Sequence, residues 1–329
     1  MEYYYLTLLL LTLAFIIIST FKTAKSSKYP PGPRPFPIIG NILELGKQPH
    51  QALTKLSQIY GPIMSLKLGN TTTIVISSPQ VAQEVLHKND KILAYRTVPD
   101  AVRALDHHLH SVVWTPPLAQ WRILRRVCAT IVFSPQQLDF TQVLRHMKVQ
   151  ELMGCVKERC NKGEALDIGE ASFTTVLNSI SNTLFSMDLA HYTSDKSQEF
   201  KDIIWGIMEE VGRPNINDFF PIFAPLDPQG VKRRCNNYFK KLLGFFYALI
   251  EERLHLRALE NESKECSDVL DSVLELMLEG SSQVTRSHVL HLFIDLSVAG
   301  IDTTSSSIEW VMTELLRNPE KLEKVRKEL

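Results

Sequence analysis

The sequence lacks an excess of charge of either sign, since its 329 residues hold 36 Lys and Arg against 36 Asp and Glu. A chain with balanced charge sets up no long-range field that would attract a nucleic-acid backbone. We therefore expect no nucleic-acid partner.

Cysteine is scarce, with five residues in the chain, and no two have the short spacing typical of zinc ligands. The nearest pair is Cys155 and Cys160. Three histidines, His107, His108 and His110, stand together but lack the i, i+4 spacing that brings two imidazoles to one metal ion. The sequence therefore predicts reduced structural thiols and no metal site of this kind.

Strand-forming sequence is also rare. Two β-rich runs, Ile63 to Leu68 and Thr72 to Ser77, flank Gly69-Asn70 and predict one hairpin. From about residue 118 onward the apolar residues recur at helical spacing, and the longest such pattern runs from about Thr285 to Arg317. These patterns predict a mainly α fold with a small β-sheet.

The first segment of the chain is the longest stretch without charge. Tyr3 to Phe21 holds 19 uncharged residues, about 28 Å as a helix, against a hydrocarbon core of about 30 Å. Residues 1–21 are thus predicted to form a transmembrane anchor, and a cleaved signal peptide remains the alternative. Lys22, Lys25 and Lys28 follow it, which by the positive-inside rule places the rest of the chain in the cytosol.

Residues 22–37 are predicted to form a hinge, because five prolines within residues 29–37 fix φ repeatedly and remove backbone donors. Residues 38–329 are then predicted to form the globular domain. A further apolar stretch contains Phe219, Phe220 and Phe223, and it reads either as a loop that dips into a bilayer or as a packed aromatic loop.

The longest helical pattern is interrupted by Ala299-Gly300-Ile301-Asp302-Thr303-Thr304, which we call the notch. Glycine costs a helix about 1 kcal/mol relative to alanine. The Thr303 hydroxyl is expected to bond back to the carbonyl of Ala299. Such a site admits either a flat ligand or small molecule, or the close packing of another helix.

Two further pairs sit at i, i+4 spacing and share a helix face. Trp121 and Arg125 form the first pair, which taken alone is typical of a cation–π surface pair. His291 and Asp295 form the second, either a buried hydrogen-bonded pair or part of a pocket lining.

The notch resembles the central-helix motif of the cytochrome P-450 monooxygenases, small-Gly-x-acid-Thr-Thr. Trp121-Arg122-Ile123-Leu124-Arg125 resembles the family's Trp-x-x-x-Arg motif, and Pro30-Pro31-Gly32-Pro33 resembles the start of its microsomal members. His107 to Trp114 and Asp227 to Arg234 are similar to the plant subfamily that includes geraniol 8-hydroxylase. The resemblance covers nearly the whole chain.

This resemblance implies the N-terminal two thirds of the cytochrome P-450 fold, with haem b as cofactor and NADPH and dioxygen as cosubstrates through NADPH-cytochrome P-450 reductase. It implies a single-pass protein of the endoplasmic reticulum membrane that hydroxylates a small hydrophobic metabolite such as a monoterpenol. Asp302 and Thr303 are the implied catalytic residues. The implied haem contacts are Arg96, Trp121, Arg125, Ala299 and Gly300, and the implied substrate pocket includes Val113, Ile294 and Ala299.

The family's Glu-x-x-Arg helix and its Gly-rich loop with the iron-ligating cysteine do not occur in this sequence. No residue of the chain is therefore assigned as a metal ligand, and the chain is expected to be a truncated member that is inactive alone. The alternatives are a non-catalytic truncated membrane protein and a helical membrane-tethered ligand-binding protein.

Overall fold

The computed structural model describes residues 29–190, 195–259, 268–278 and 283–328, together with six isolated positions before residue 15. Most of the predicted anchor, the first part of the predicted hinge and the polar connection at 261–267 lie outside these residues. Among the described residues, no helix has both the length and the apolar character that crossing a membrane requires. The chain divides into two compact units.

The first unit comprises residues 1–95 and 214–229, and its centre is the predicted hairpin. Strands Ile63–Leu68 and Thr71–Ile76 pair antiparallel, with Ile63 opposite Ile76. Gly69 takes the turn with a φ of 57°, which glycine adopts without steric cost. The hairpin prediction is therefore confirmed.

The proline-rich stretch lies along this hairpin. Ser65 donates from its backbone N–H to the carbonyl of Pro31 at 2.9 Å and from its hydroxyl to the carbonyl of Pro30 at 2.7 Å. Prolines keep their carbonyl acceptors although they lack an N–H. The described part of the predicted hinge is thus attached to the sheet.

The stretch from Pro214 to Pro228 is less irregular than its prolines indicate, because it contains the helical turn Ile216–Phe219 and the 3₁₀ turn Pro221–Leu226. Its backbone joins the sheet where Asn70 donates to the carbonyl of Phe219 at 2.9 Å. The other helices of the first unit are Ile42–Leu45, Pro49–Tyr60, Pro79–Gln83 with a π-helical continuation Glu84–Lys88, and Asp90–Leu93.

The second unit comprises residues 96–213 and 230–329, and its described secondary structure is helical. The fold class, mainly α with a small β-sheet, is therefore confirmed. In chain order its helices are Asp100–Asp106 (3₁₀), His107–His110, Ala119–Val127 with a π-helical continuation Cys128–Val132, Pro135–Phe140, Gln142–Lys162, Ile168–Phe185, Asp195–Gly212, Val231–Leu259, Val269–Leu278, Arg286–Arg317 and Pro319–Glu328.

The helix Arg286–Arg317, which we call the central helix, runs through the notch without a break. Thr285 caps it: its hydroxyl accepts from the backbone N–H of His288, while the His288 ring accepts from the backbone N–H of Thr285. The helix ends at Asn318, where Pro319 begins the next one. The predicted bounds are thus confirmed to within one residue.

Three aromatic rings join the central helix to its neighbours. Phe293 meets Phe185 edge-on, with ring centroids 4.9 Å apart, and Phe246 lies 6.1 Å away on the helix Val231–Leu259. All three side chains are 3% exposed or less. Edge-to-face pairs add about 0.5–1.5 kcal/mol to the free energy gained by burial, so this cluster fixes the depth of the central helix in its unit.

Phe293→Ala should lower the free energy of unfolding by about 3–5 kcal/mol, because it leaves a ring-sized cavity where no neighbour can collapse. Urea denaturation of the 329-residue chain measures the change. The matched control is Phe140→Ala, whose side chain is 65% exposed and whose loss should change stability by less than about 0.5 kcal/mol. Equal losses in the two variants would show that the core lies elsewhere.

Candidate active site

The notch presents one polar face to solvent. Thr303 donates from its hydroxyl to the carbonyl of Ala299 at 2.7 Å, which confirms the predicted back-bond, and both residues are exposed. Ser307 donates in the same way to the carbonyl of Thr303 at 2.7 Å. A row of hydroxyls therefore lies along this side of the central helix.

Gly300 serves helix packing. A Cβ atom at this position would lie 2.8 Å from Cδ1 of Ile180, a residue of the helix Ile168–Phe185. Gly300 therefore packs against a neighbouring helix, as the packing alternative predicts, although the close atom is the end of a flexible side chain that could shift to admit a Cβ. Ala299, one residue earlier, stays exposed and leaves the polar face open.

Asp302 lies on the edge of that face and is half-buried. Its carboxylate has no hydrogen-bond partner among the described residues, so nothing within the core neutralises this acid. Partial burial without a compensating charge raises the pKa of Asp302 above the usual value for an aspartate. An acid with a raised pKa holds its proton closer to neutral pH.

Trp121 is already engaged. Its indole N–H donates to the carbonyl of Val112 at 3.0 Å. The alternative of a cation–π pair with Arg125 is not found, because in the described part of the chain the aromatic–cation contacts involve Trp205 and Tyr247 instead.

Arg125 and Arg96 are exposed, and neither guanidinium has an ion pair or hydrogen bond among the described residues. Arg125 lies one helical turn beyond Trp121 on the helix Ala119–Val127. Two planar cations without counter-ions are suited to bidentate binding of carboxylates.

Asp295 connects the central helix to the segment that precedes Trp121. Its carboxylate accepts from the Ser111 hydroxyl at 2.8 and 2.9 Å and from the backbone N–H of Val112 at 2.8 Å. Because Val112 in turn accepts from the Trp121 indole, one chain of hydrogen bonds runs from the central helix to the Trp121 ring. Residues 107–113, which carry these contacts, are called the bridge segment.

His107 reaches the same carboxylate, with Nε2 3.1 Å from Oδ1 of Asp295, and its Nδ1 lies 2.8 Å from Nδ1 of His291. His107, His291 and Asp295 are each no more than 7% exposed. His291 and Asp295 are therefore both buried, but among the described residues they do not hydrogen-bond to each other as the pair prediction required; each contacts His107 of the bridge segment instead. No group of three or more His, Cys, Asp or Glu residues in the described ranges has the geometry of a metal site.

The three implied pocket residues lie in different surroundings. Ile294 is 1% exposed, Val113 is half-buried beside the bridge contacts, and Ala299 is exposed on the notch. Ile294 and Ala299 belong to the central helix, and Val113 belongs to the bridge segment, so the hydrogen bonds of Asp295 bring both elements together.

Cys128 is poorly suited to form a thiolate. Cys128 is 3% exposed, and burial raises its pKa to about 11. Cys235 is buried, and Cys155 and Cys160 both lie on the helix Gln142–Lys162. Cys266 lies outside the described residues.

A family model described as cytochrome P-450 matches residues 30–329. The chain belongs to the cytochrome P-450 family. The family that the notch and the Trp-x-x-x-Arg motif indicated is thereby confirmed.

Its relatives include cytochrome P-450 monooxygenase 76AD131 of Lophophora williamsii, which is 49% identical over 310 residues that cover 94% of this chain and 62% of the relative. Geraniol 8-hydroxylase of Catharanthus roseus is 45% identical over 328 residues, 99% of this chain and 66% of the relative. Inactive cytochrome P-450 76AD1 of Beta vulgaris is 47% identical over 309 residues, 94% of this chain and 74% of that protein. This cytochrome P-450 chain thus spans 62% of the length of the first of these relatives.

Sequence reasoning missed Ser111 and the backbone of Val112. Ser111 is fully buried, and its hydroxyl both donates to Asp295 and accepts from the backbone N–H groups of Val113 and Trp114. The local sequence offered one signal for this role, namely that Ser111 is a polar residue directly after the three histidines.

Asp295→Ala should lower the free energy of unfolding by about 3 kcal/mol or more, because it leaves three buried donors without an acceptor. Asp295→Asn keeps one carbonyl oxygen and should cost less. The control is Asp139→Ala on an exposed position. Urea denaturation gives the free energy of unfolding of all three variants. If Asp295→Ala lowered it no more than the control does, the hydrogen bonds of Asp295 would not be what holds the bridge segment to the central helix.

Proposed function

We propose that this chain is part of a haem-dependent monooxygenase, which uses NADPH and dioxygen to hydroxylate a small hydrophobic metabolite. In this proposal the chain supplies the residues beside the dioxygen site and those that contact the haem propionates. The observation that carries the proposal is the notch, where an unpartnered half-buried acid stands next to an exposed hydroxyl on one helix. Membership in the cytochrome P-450 family and the matched monooxygenases support it.

The fit of haem b to the chain can be judged from its donors. Arg125 and Arg96 are free cations of the kind that carboxylates require, so these two residues fit the propionates. The indole N–H of Trp121 is a third suitable donor, and it becomes available when the Val112 carbonyl gives it up. Bound haem supplies the iron at which dioxygen is activated.

Asp302 and Thr303 handle protons in this proposal. The raised pKa of Asp302 keeps a proton on its carboxyl closer to neutral pH, which is what a proton donor needs. The Thr303 hydroxyl is held by the Ala299 carbonyl, so its oxygen keeps a fixed position as an acceptor. Ala299 has no side chain beyond Cβ and leaves space at this face, whereas Gly300 lies against Ile180 of the helix Ile168–Phe185.

The proposed substrate is a monoterpenol or a similar small hydrophobic molecule. Support comes from the apolar side chains of Val113 and Ala299 and from the relative named geraniol 8-hydroxylase, whereas Ile294 is buried in the core. Electrons would arrive from NADPH-cytochrome P-450 reductase. Arg122 and Arg126 are exposed on the Trp121 helix and offer a basic surface for such a partner.

We further propose that residues 1–21 anchor the protein in the endoplasmic reticulum membrane, that residues 22–37 form the hinge, and that residues 38–329 lie in the cytosol as the incomplete catalytic domain. The apolar stretch around Phe223 would touch the bilayer as well. Ile222 is 79% exposed and Leu226 is 74% exposed, which is more apolar surface than a solvated loop normally shows.

A second proposal is that the chain as given does not turn over. The Cys128 thiol supports this proposal. Because its pKa is raised to about 11, it is poorly suited to form the thiolate that the family's chemistry uses. A relative that carries the name inactive cytochrome P-450 76AD1 is a precedent for a non-catalytic member.

Arg125→Ala should weaken the binding of haem to the 329-residue chain about tenfold, because a charge-assisted hydrogen bond contributes about 1.5–3 kcal/mol. A haem titration followed by Soret absorbance measures the affinity. Arg122→Ala is the matched control on an adjacent face of the same helix and should leave the affinity unchanged. Equal effects of the two substitutions would mean that general positive charge, and not a propionate contact, holds the haem.

Asp302→Asn and Thr303→Ala should each lower the turnover number at least tenfold, because proton delivery by a positioned group contributes about 10²–10⁴-fold to a rate. The assay uses a longer polypeptide that continues this chain through the family's cysteine loop, with reductase and geraniol. Thr304→Ala is the control within the notch. Normal product formation by Asp302→Asn, with unchanged consumption of NADPH per product, would exclude Asp302 from the proton path.

A further inference from the structure

The bridge segment is held to the central helix by groups that can take up protons. We propose that His107, His110, Ser111, His288, His291 and Asp295, which we call the polar cluster, form an acid-sensitive latch that releases the bridge segment from the central helix.

Hydrogen bonds and an ion pair join the bridge segment to the central helix across the latch. Asp295 accepts from Ser111, from the backbone of Val112 and from His107. A second contact joins the same two elements, with Nδ1 of His107 2.8 Å from Nδ1 of His291. It is satisfied when His107 donates from Nε2 to Asp295 and accepts at Nδ1 from a neutral His291. A proton added to His291 therefore has no acceptor prepared for it.

Four imidazoles are crowded into this buried space. The His110 ring lies 5.2 Å from His291 and 5.3 Å from His288 between centroids, and His107 stacks on Phe239 at 4.6 Å. The Nδ1 atom of His110 is buried and has no hydrogen-bond partner in the part of the chain that the structure describes. One positive charge among these rings raises the energy of the next, because like charges repel strongly away from water.

Burial is the first cause that lowers the pKa of His291, to about 3, and the neighbouring His107, His110 and His288 add to it. Burial likewise lowers the pKa of His110 and of His288. The charged and titratable groups around the cluster are Arg103, Asp106 and His108 on the bridge side, Arg125 and Cys128 on the Trp121 helix, and Asp295 on the central helix, whereas the helix Val231–Leu259 contributes the neutral Phe239.

The direction of the pH dependence follows from this. In the closed latch His291 stays neutral down to about pH 3, whereas in the open latch it takes up a proton near its ordinary pKa of about 6.5. Between these values opening binds a proton, so the latch weakens about tenfold per pH unit as the pH falls. Above about pH 6.5 the His291 contribution to closure is complete and no longer changes.

The backbone next to the latch favours release. Leu105 and Asp106 both adopt left-handed φ values, 48° and 56°, immediately before His107. Residues other than glycine adopt this conformation only at a cost in free energy. The cluster therefore keeps a strained turn in place, and opening relieves it.

The consequence for the site rests on the proposed function. Val112 is tied to Asp295 by its N–H and to Trp121 by its carbonyl. Release of the bridge segment removes the Asp295 bond that holds the Val112 peptide in place, so the Val112 carbonyl can move away from the Trp121 indole N–H. Acid would then make that N–H more available to a haem propionate.

Amide hydrogen exchange on the 329-residue chain tests the latch without haem. The protection factor of the Val112 amide should fall at least tenfold per pH unit between about pH 6 and pH 4. The amides of Leu292 and Phe293 in the central helix should keep their protection over the same range. A pH-independent Val112 amide, or a parallel loss in the central helix, would overturn the proposal, and the native chain alone gives this answer.

His291→Gln should remove about one factor of ten per pH unit from the dependence at Val112. His255→Gln is the matched control, since His255 is exposed on the helix Val231–Leu259. Ser111→Ala should lower protection by a constant factor and leave the slope unchanged, because it removes hydrogen bonds but no titrating group. An unchanged slope in His291→Gln would sink the latch whatever the haem titration of Arg125→Ala shows.

Discussion

The rest of the site depends on the hydrogen bonds that the buried carboxylate of Asp295 accepts. One aspartate on the central helix accepts from a side chain, a backbone amide and an imidazole of the bridge segment. A buried carboxylate is costly unless such donors surround it, so the helix and the segment require one another. The position of Trp121 follows, because its indole is fixed by the residue that Asp295 holds.

Two sides of the central helix then serve different ends. The side with Gly300 is given to packing, where the absence of a side chain admits Ile180. The side with Ala299 and Thr303 stays open and polar. Asp302 lies between the buried and exposed sides, which is why its carboxyl is desolvated without being neutralised. A helix wholly committed to packing could not also present an acid with a raised pKa at its surface.

The sequence was sufficient for the elements with strong local signals and for contacts within one helical turn, but not for the helical turns Ile216–Phe219 and Pro221–Leu226. The hairpin, the bounds of the central helix and the back-bond of Thr303 all follow from local rules of turn chemistry, capping and hydroxyl geometry. The contact between Ser111 and Asp295 joins residues 184 positions apart, and no periodicity encodes such a pairing. The partner of Trp121 was missed for the same reason, since a backbone carbonyl carries no sequence signature.

We propose above that Arg96, Trp121 and Arg125 would contact the haem propionates, that Asp302 and Thr303 would handle protons, and that the buried Cys128 does not supply the iron's sulfur ligand. The carbon monoxide difference spectrum of the reduced, haem-loaded 329-residue chain tests this proposal most directly. The account predicts that haem binds and that the spectrum lacks a thiolate-type Soret band, because the buried Cys128 thiol keeps its proton far above neutral pH. A thiolate-type band from this chain, or a complete failure to bind haem, would contradict the account.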